Sequence, residues 1–263
     1  MSSTEPMFPD TPNFRELGGL RNARGQRVRR GKVFRSELLT PMSESEQAML
    51  RGLQIRTVFD LRNPHERAAK KPVWPAAQDD VLRHVMEREM PVAGADLKQL
   101  VDNLNAGSLD AQDTAEIMRE TYRRMPEHFA DVLTELFSTL IREDGGGALV
   151  HCTAGKDRTG FVCAMLLSAL DVPMDAIEQD YLLSARFFTL KRLMEKLEQT
   201  YGLRLESGTT AALAAMVQVS PEYLGAAIRT IEKDWGSVPA YLEQRVGLSA
   251  DARARLQSRL LED

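Results

Sequence analysis

Ala148-Leu149-Val150-His151-Cys152-Thr153-Ala154-Gly155-Lys156-Asp157-Arg158-Thr159-Gly160 opens as an apolar run and closes on polar and small residues. Phe161-Val162-Cys163-Ala164-Met165-Leu166-Leu167 follows, apolar again and long enough for a core helix. A short apolar run bounded by turn residues reads as a buried strand. The stretch therefore predicts a strand, a glycine-containing turn and a helix, in that order. Such a turn is a ready-made anion site: the first helical turn leaves N–H groups unpaired, and the helix dipole favours negative charge beside them.

Cys152 stands at the mouth of the turn, and Arg158 follows after five intervening residues. A helix N-terminus and neighbouring cations favour the thiolate, the nucleophilic form of cysteine. Here the helix end, Lys156 and Arg158 all act in that direction. A guanidinium presents a planar fork of donors that matches two phosphate oxygens. Thr153, Ala154, Gly155, Lys156, Asp157 and Arg158 form the expected cradle, their free N–H groups facing charge that builds on equatorial oxygens during phosphoryl transfer. This combination predicts transfer of a phosphoryl group to Cys152, then hydrolysis of the phosphocysteine by water.

The departing oxygen needs a proton. Two carboxyls are candidates: Asp157 inside the turn, and Asp60 at the end of the strand-like run Arg56-Thr57-Val58-Phe59-Asp60-Leu61-Arg62. Thr159 is placed to hydrogen-bond the sulfur, and His151 to orient the turn through a backbone carbonyl. Arg35, at the end of another strand, either aims at the cradle or is a surface cation.

Rival readings exist for each feature. A cysteine before a helix is often only a small buried hydrophobe. A nucleotide P-loop needs Gly-x4-Gly-Lys and then Ser or Thr; Val150 occupies the first glycine position here and Asp157 follows Lys156, so that reading fails. Asp60 is alternatively an ion-pair partner, with Arg158 as one candidate cation. A binding module without turnover is the main functional alternative, but cysteine, arginine and both acids are present. Arsenate reduction by a similar loop needs resolving thiols, and Cys163 is the only other cysteine.

The turn His151 to Gly160 lies downstream of Asn13-Phe14-Arg15-Glu16-Leu17-Gly18-Gly19, Phe34-Arg35-Ser36 and Phe59-Asp60-Leu61-Arg62, with Tyr241-Leu242 and Gly247-Leu248-Ser249 beyond it. In that order these segments resemble the bacterial Cys-x5-Arg tyrosine and lipid phosphatases of the PtpB/LipA-like group, within the protein-tyrosine-phosphatase superfamily. The resemblance implies Cys152 as nucleophile, Arg158 as phosphate ligand, Asp157 as the favoured general acid, and no cofactor. Lys156 resembles the loop lysine of inositol-lipid phosphatases. The implied substrates are phosphotyrosine proteins, with phosphoserine/threonine and phosphoinositides beside them. Trp74-Pro75 precedes Ala76, so the Trp-Pro-Asp acid loop of classical tyrosine phosphatases is missing. Some members of the group carry a mobile helical lid; residues 186–219 are the candidate here, with an ordinary helical subdomain as the alternative.

The chain has 263 residues, a net charge of −4 and two cysteines, Cys152 and Cys163. That length suits one phosphatase domain spanning 1–263. The charge argues against general nucleic-acid binding. Neither a disulfide framework nor zinc-ligand spacing is present. The N-terminus lacks basic and apolar signal regions, and no apolar run approaches the roughly 18 residues that cross a bilayer. A cytoplasmic enzyme with a reduced thiol is expected, with export lacking a cleaved signal left open.

The expected fold is α/β: a tyrosine-phosphatase-like central mixed sheet of four or five strands, flanked by helices on both faces, with extra C-terminal helices. Strand, turn and strand are expected within 13–37, around the turn Asn22-Ala23-Arg24-Gly25. Ser43-x-x-Glu46 opens a helix, Asn63-Pro64 another, and 81–85 reads as a strand. Helices are expected at 96–104, at 114–124 and from Pro126, where Phe129, Val132, Leu133, Leu136, Phe137, Leu140 and Ile141 form an apolar stripe. After the turn helix come helices at 174–186, 187–201, 209–219, 221–235, 237–246 and 249–260. Asp175, Glu178 and Asp180 read as the wet face of the first of these.

Overall fold

The apolar run before Cys152 becomes the middle strand of a five-stranded sheet. The computed structural model describes residues 6–39, 41–74, 81–86, 102–142, 146–187, 189–191, 194, 198, 204 and 207–263. Along the sheet, β1 (Arg15–Glu16), β3 (Val33–Ser36), β6 (Gly147–His151), β4 (Ile55–Asp60) and β5 (Leu82–Val85) lie in that order. β1 is antiparallel to β3, and the other neighbours are parallel. All five residues of β6 are buried, as a strand covered on both faces requires. Its side chains alternate: Ala148 and Val150 enter the larger core cluster, Leu149 the smaller one on the opposite face.

The smaller cluster joins Phe8, Phe14, Phe34 and Ile55 to Leu50 of α1 (Glu44–Gly52). Ser43 caps that helix as expected, its Oγ accepting from the Glu46 N–H at 3.3 Å. The larger cluster is built on α3 (Ala111–Arg142) and α4 (Asp157–Ala169). Pro126 lies inside α3 rather than starting a new helix, so the two expected helices are one. The reason is the stripe: Met118, Tyr122, Met125, Phe129, Leu133 and Leu136 are buried on one continuous face. Burial of that face outweighs the single backbone bond that proline removes.

α2 (Pro64–Ala69) follows the Asn63-Pro64 signal. After α4 come α5 (Met174–Leu183), a single 3-10 turn at Ser184–Arg186, α6 (Ser207–Val217), α7 (Pro221–Trp235), α8 (Val238–Gln244) and α9 (Ala250–Leu260). α6 and α7 pack against α3. The Asn22–Gly25 turn forms, with the Gly25 N–H on the Asn22 carbonyl at 3.0 Å. Val28 does not share a strand with Val33, however: β2 (Arg27–Val28) pairs with the terminal β7 (Leu261–Glu262) in a separate ribbon. Residues 102–105, at the end of the helix expected at 96–104, are helical; the rest of that helix, most of the one expected at 187–201, and most of the proposed lid before residue 207 lie outside the described residues. No single helix among the described residues is long and apolar enough to cross a membrane.

Register decides where the site falls. Ser36 and Asp60 both stand level with His151. Three parallel strands therefore end together, at the carboxyl edge where open α/β sheets place their ligands.

Candidate active site

Residues 152–156 form the loop between β6 and α4, whose first residue is Asp157. A trans peptide is planar, so its carbonyl and the following N–H point in opposite directions. Each carbonyl from Cys152 to Gly155 is held. The His151 Nδ1–H lies 3.3 Å from the Cys152 carbonyl, and the Leu38 N–H donates to the Thr153 carbonyl at 3.2 Å. Asn13 Nδ2 donates to Ala154 at 2.8 Å, and Arg35 Nη2 to Gly155 at 3.0 Å. With four carbonyls held in this way, the N–H groups of residues 153–156 are left to turn the other way. One of them already shows the result: the Gly155 N–H donates to the Cys152 sulfur at 3.2 Å. Cys152 is 2 % exposed, at the floor of this ring.

Gly155 has φ +68°, and a Cβ there would sit 2.5 Å from the Ser36 carbonyl group. Glycine is thus required twice over, by backbone conformation and by space.

Arg158 is buried, and its fork closes on Glu66 of α2: Nη1 to Oε2 at 2.5 Å, Nη2 to Oε1 at 2.9 Å. Thr153 Oγ1 also donates to Glu66 Oε1 at 2.5 Å, and the Asn63 N–H to Oε2 at 2.9 Å. Burial alone would raise the Glu66 carboxyl, but the hydrogen bonds and charge of Arg158, with Thr153 and the Asn63 N–H, bring it down to about 2. Nothing in the sequence reading gave Glu66 a role. Its one signal was the capping box of α2, in which the third helical residue is a glutamate.

Asp157 is half-buried and is held by other partners than Glu66. The Tyr122 hydroxyl donates to its Oδ1 at 2.8 Å, and Lys156 Nζ lies 2.7 Å from its Oδ2. Tyr122 and Tyr181 share a hydrogen bond of 2.7 Å; since Tyr122 gives its proton to Asp157, Tyr181 is the donor there. Burial, with the Asp157 charge, pushes the Tyr122 phenol well above its ordinary range, so it stays a donor. Lys156 Nζ also donates to the Met216 carbonyl of α6 at 3.0 Å.

Asp60 is drawn elsewhere. Arg62 donates to both its oxygens, Nε at 2.9 Å and Nη2 at 2.6 Å. Its carboxyl lies below the ordinary value because these bonds, with the His151 and Arg62 charges, outweigh the burial that would raise it. The ion-pair alternative is therefore realised with Arg62, while Glu66 holds Arg158. Burial depresses the His151 ring and favours its neutral form, against the pull of Asp60 at 3.8 Å. Thr159 Oγ1 is buried and makes no hydrogen bond among the described residues, so the expected bond to sulfur is not formed here.

Arg35 is no surface cation but fully buried, and Asp180 is buried too rather than on a wet face. Ile177, Asp180, Tyr181 and Ser184 share the three-four spacing of the inward face of α5 and the turn after it; Asp175 alone of the three acids is exposed. Asn13 and Arg15 had no signal in the sequence beyond their place in Asn13-Phe14-Arg15-Glu16-Leu17-Gly18-Gly19, yet Asn13 grips the loop directly. Among the described residues, no three His, Cys, Asp or Glu side chains are grouped to hold a metal ion.

Comparison with known proteins identifies the family. The sequence matches the profile of the tyrosine phosphatase family over residues 6–262. It is 33 % identical to a Cupriavidus necator protein classed by name with the tyrosine-protein phosphatases, covering 89 % of this chain and 81 % of that one. It is 30 % identical to the triple specificity protein phosphatase PtpB of Mycobacterium tuberculosis, over 97 % of this chain and 98 % of the relative. Among solved structures, TpbA of P. aeruginosa overlaps 78 % of this chain and 89 % of its own at 17 % identity, with a TM-score of 0.25, too low to bear on the argument. With a sequence profile spanning nearly every residue and relatives matched almost end to end, this chain belongs to the tyrosine phosphatase family.

Proposed function

We propose that the protein hydrolyses phosphomonoesters through a phosphocysteine formed on Cys152. The observation that carries this reading is the loop itself: four outward carbonyls are held by named donors, and the sulfur already accepts one inward N–H. A tetrahedral phosphate seated there would meet several N–H groups and the Arg158 N–H donors that Glu66 does not engage, while the sulfur lies beneath for in-line attack. Asp157 is the preferred proton donor to the leaving oxygen. It opens the helix directly after the loop and is the more accessible of the two, whereas Asp60 is buried with both oxygens accepting from Arg62. Water then attacks the phosphocysteine, with Asp157 as base.

Phosphotyrosine proteins are the proposed substrates, with phosphoserine/threonine and phosphoinositides tested beside them. The name of the Mycobacterium tuberculosis relative supports broad specificity. Hydrolysis of p-nitrophenyl phosphate that survives EDTA and vanishes in Cys152→Ser supports the enzyme. No hydrolysis at any pH from about 5 to 8 would favour a phosphate-binding module instead. For the acid, Asp157→Asn and Asp60→Asn are compared on aryl phosphates of graded leaving-group acidity. Only loss of the true acid makes the rate depend steeply on the leaving group, and absence of that steepening in Asp157→Asn rejects the assignment.

A further inference from the structure

Behind the loop, away from the substrate side, lies a buried cluster of two cations and one anion. Asp180 accepts from Arg15 Nε at 2.9 Å and from Arg35 Nη1 at 2.5 Å. Arg35 is 0 % exposed and Asp180 7 %. Burying an aspartate with two guanidinium groups is not an economical way to stabilise a fold; well-packed apolar side chains do as well or better. The arrangement gains a purpose when the other donors of both arginines are followed. Arg35 Nη2 reaches the Gly155 carbonyl at 3.0 Å. Arg15 Nη1 donates to Asn13 Oδ1 at 2.5 Å, and Asn13 Nδ2 donates to the Ala154 carbonyl at 2.8 Å. Two successive loop carbonyls therefore trace back to the same carboxylate, one through Arg35 and the other through Arg15 and Asn13. By peptide planarity these two set the directions of the Gly155 and Lys156 N–H groups. The first is the group that donates to the Cys152 sulfur.

We infer that Asp180 is a positioning residue for the phosphatase reaction, fixing through Arg35 and through Arg15–Asn13 the loop peptides whose N–H groups face Cys152. This rests on the reading of residues 152–158 as the phosphate cradle. Asp180 touches no reacting atom. Its effect falls on the trigonal-bipyramidal state, for which inward N–H geometry is most demanding, and less on binding of the ground-state ester.

The test uses the full chain, p-nitrophenyl phosphate and orthovanadate, a mimic of that five-coordinate state. Asp180→Asn removes the charge that orients both arginines. Arg35→Met removes the Gly155 donor while leaving Arg15 and Asp180 as a matched pair. In folded protein, checked by circular dichroism, each variant is expected to lose about tenfold or more in kcat and a similar factor in orthovanadate affinity, with KM moving by less than about threefold. If either variant folds and keeps both kcat and orthovanadate affinity, Asp180 is only a buried counter-ion and the inference is wrong. If only one folds, that one decides; if neither folds, the role is structural and the inference also falls. Cys152→Ser, run in parallel, separates the two readings. Turnover that persists without the thiol overturns the cradle, whereas a thiol-dependent enzyme indifferent to Asp180→Asn and Arg35→Met overturns this inference alone.

Discussion

Replacing Glu66 by glutamine removes one charge and almost nothing else in volume. In the native protein both carboxylate oxygens are doubly engaged, by Arg158, Thr153 and the Asn63 N–H. A carboxamide keeps one acceptor oxygen and turns an NH2 group toward the guanidinium. The fall of the Glu66 carboxyl from its ordinary 4.5 to about 2 corresponds to about 3 kcal/mol of preference for the ionised form in the folded chain. Removing one partner of a buried pair costs about 3–5 kcal/mol by general experience, which brackets the same size. The sign with pH follows from the direction of the shift. Because the folded value is depressed, the contribution is complete above about 4.5 and disappears as pH falls toward about 2. Urea unfolding of wild type and Glu66→Gln at pH 7 should differ by about 3 kcal/mol, and the gap should close by pH 2.5 to well under half. Taking the difference cancels the acid lability of the other carboxylates, which both proteins share. A gap absent at pH 7, or equally wide at pH 7 and 2.5, would refute the claim that this carboxylate is stabilised by Arg158. At neutral pH the variant should also lose about tenfold to a hundredfold in kcat/KM, since the fork is no longer held in register.

Three further outcomes are expected. Gly155→Ala forces a left-handed residue and a contact of 2.5 Å with the Ser36 carbonyl group; stability should fall by about 2 kcal/mol or more, and p-nitrophenyl phosphate turnover should nearly vanish in the folded fraction. Tyr122→Phe leaves Asp157 with Lys156 but without its phenolic donor. It should cost about 1 kcal/mol of stability and slow hydrolysis of poor leaving groups more than good ones, as rate measurements across an aryl phosphate series would show. Asp60→Asn should lower the urea midpoint by the equivalent of about 3 kcal/mol, because Arg62 loses a buried partner, while leaving the leaving-group dependence of kcat unchanged.

The strand–turn–helix that holds the proposed nucleophile and clamp was legible in sequence because one contiguous stretch encodes it. Periodicity and hydrogen-bonding needs operate within it over a few residues. The parallel strands on either side of β6 were legible for the same reason, as short apolar runs ending in polar residues. What escaped was everything that reaches the loop from a distance. Glu66 had a sufficient local explanation as a helix-capping residue, and nothing nearby announced that the same carboxylate would also accept from Arg158, 92 residues away. Asp180 looked like one acid among three on a helix, although its spacing from Ile177 and Tyr181 put it on the inward face. Tyr122 fell inside an expected helix with no role assigned to it; its ring is core, and only the hydroxyl serves Asp157. Pro126 misled in the other direction, since its local rule is strong and the apolar stripe across it is stronger. Local rules identify which groups can do chemistry, while tertiary packing decides which groups hold them in place.

The central claim is tested most directly by quenching the enzyme in acid during turnover of an aryl phosphate and locating any bound phosphate by peptide mass spectrometry. The account predicts one phosphoryl group on the peptide that carries Cys152, absent from Cys152→Ser. Phosphate found on another residue, or undiminished hydrolysis by Cys152→Ser, would contradict it.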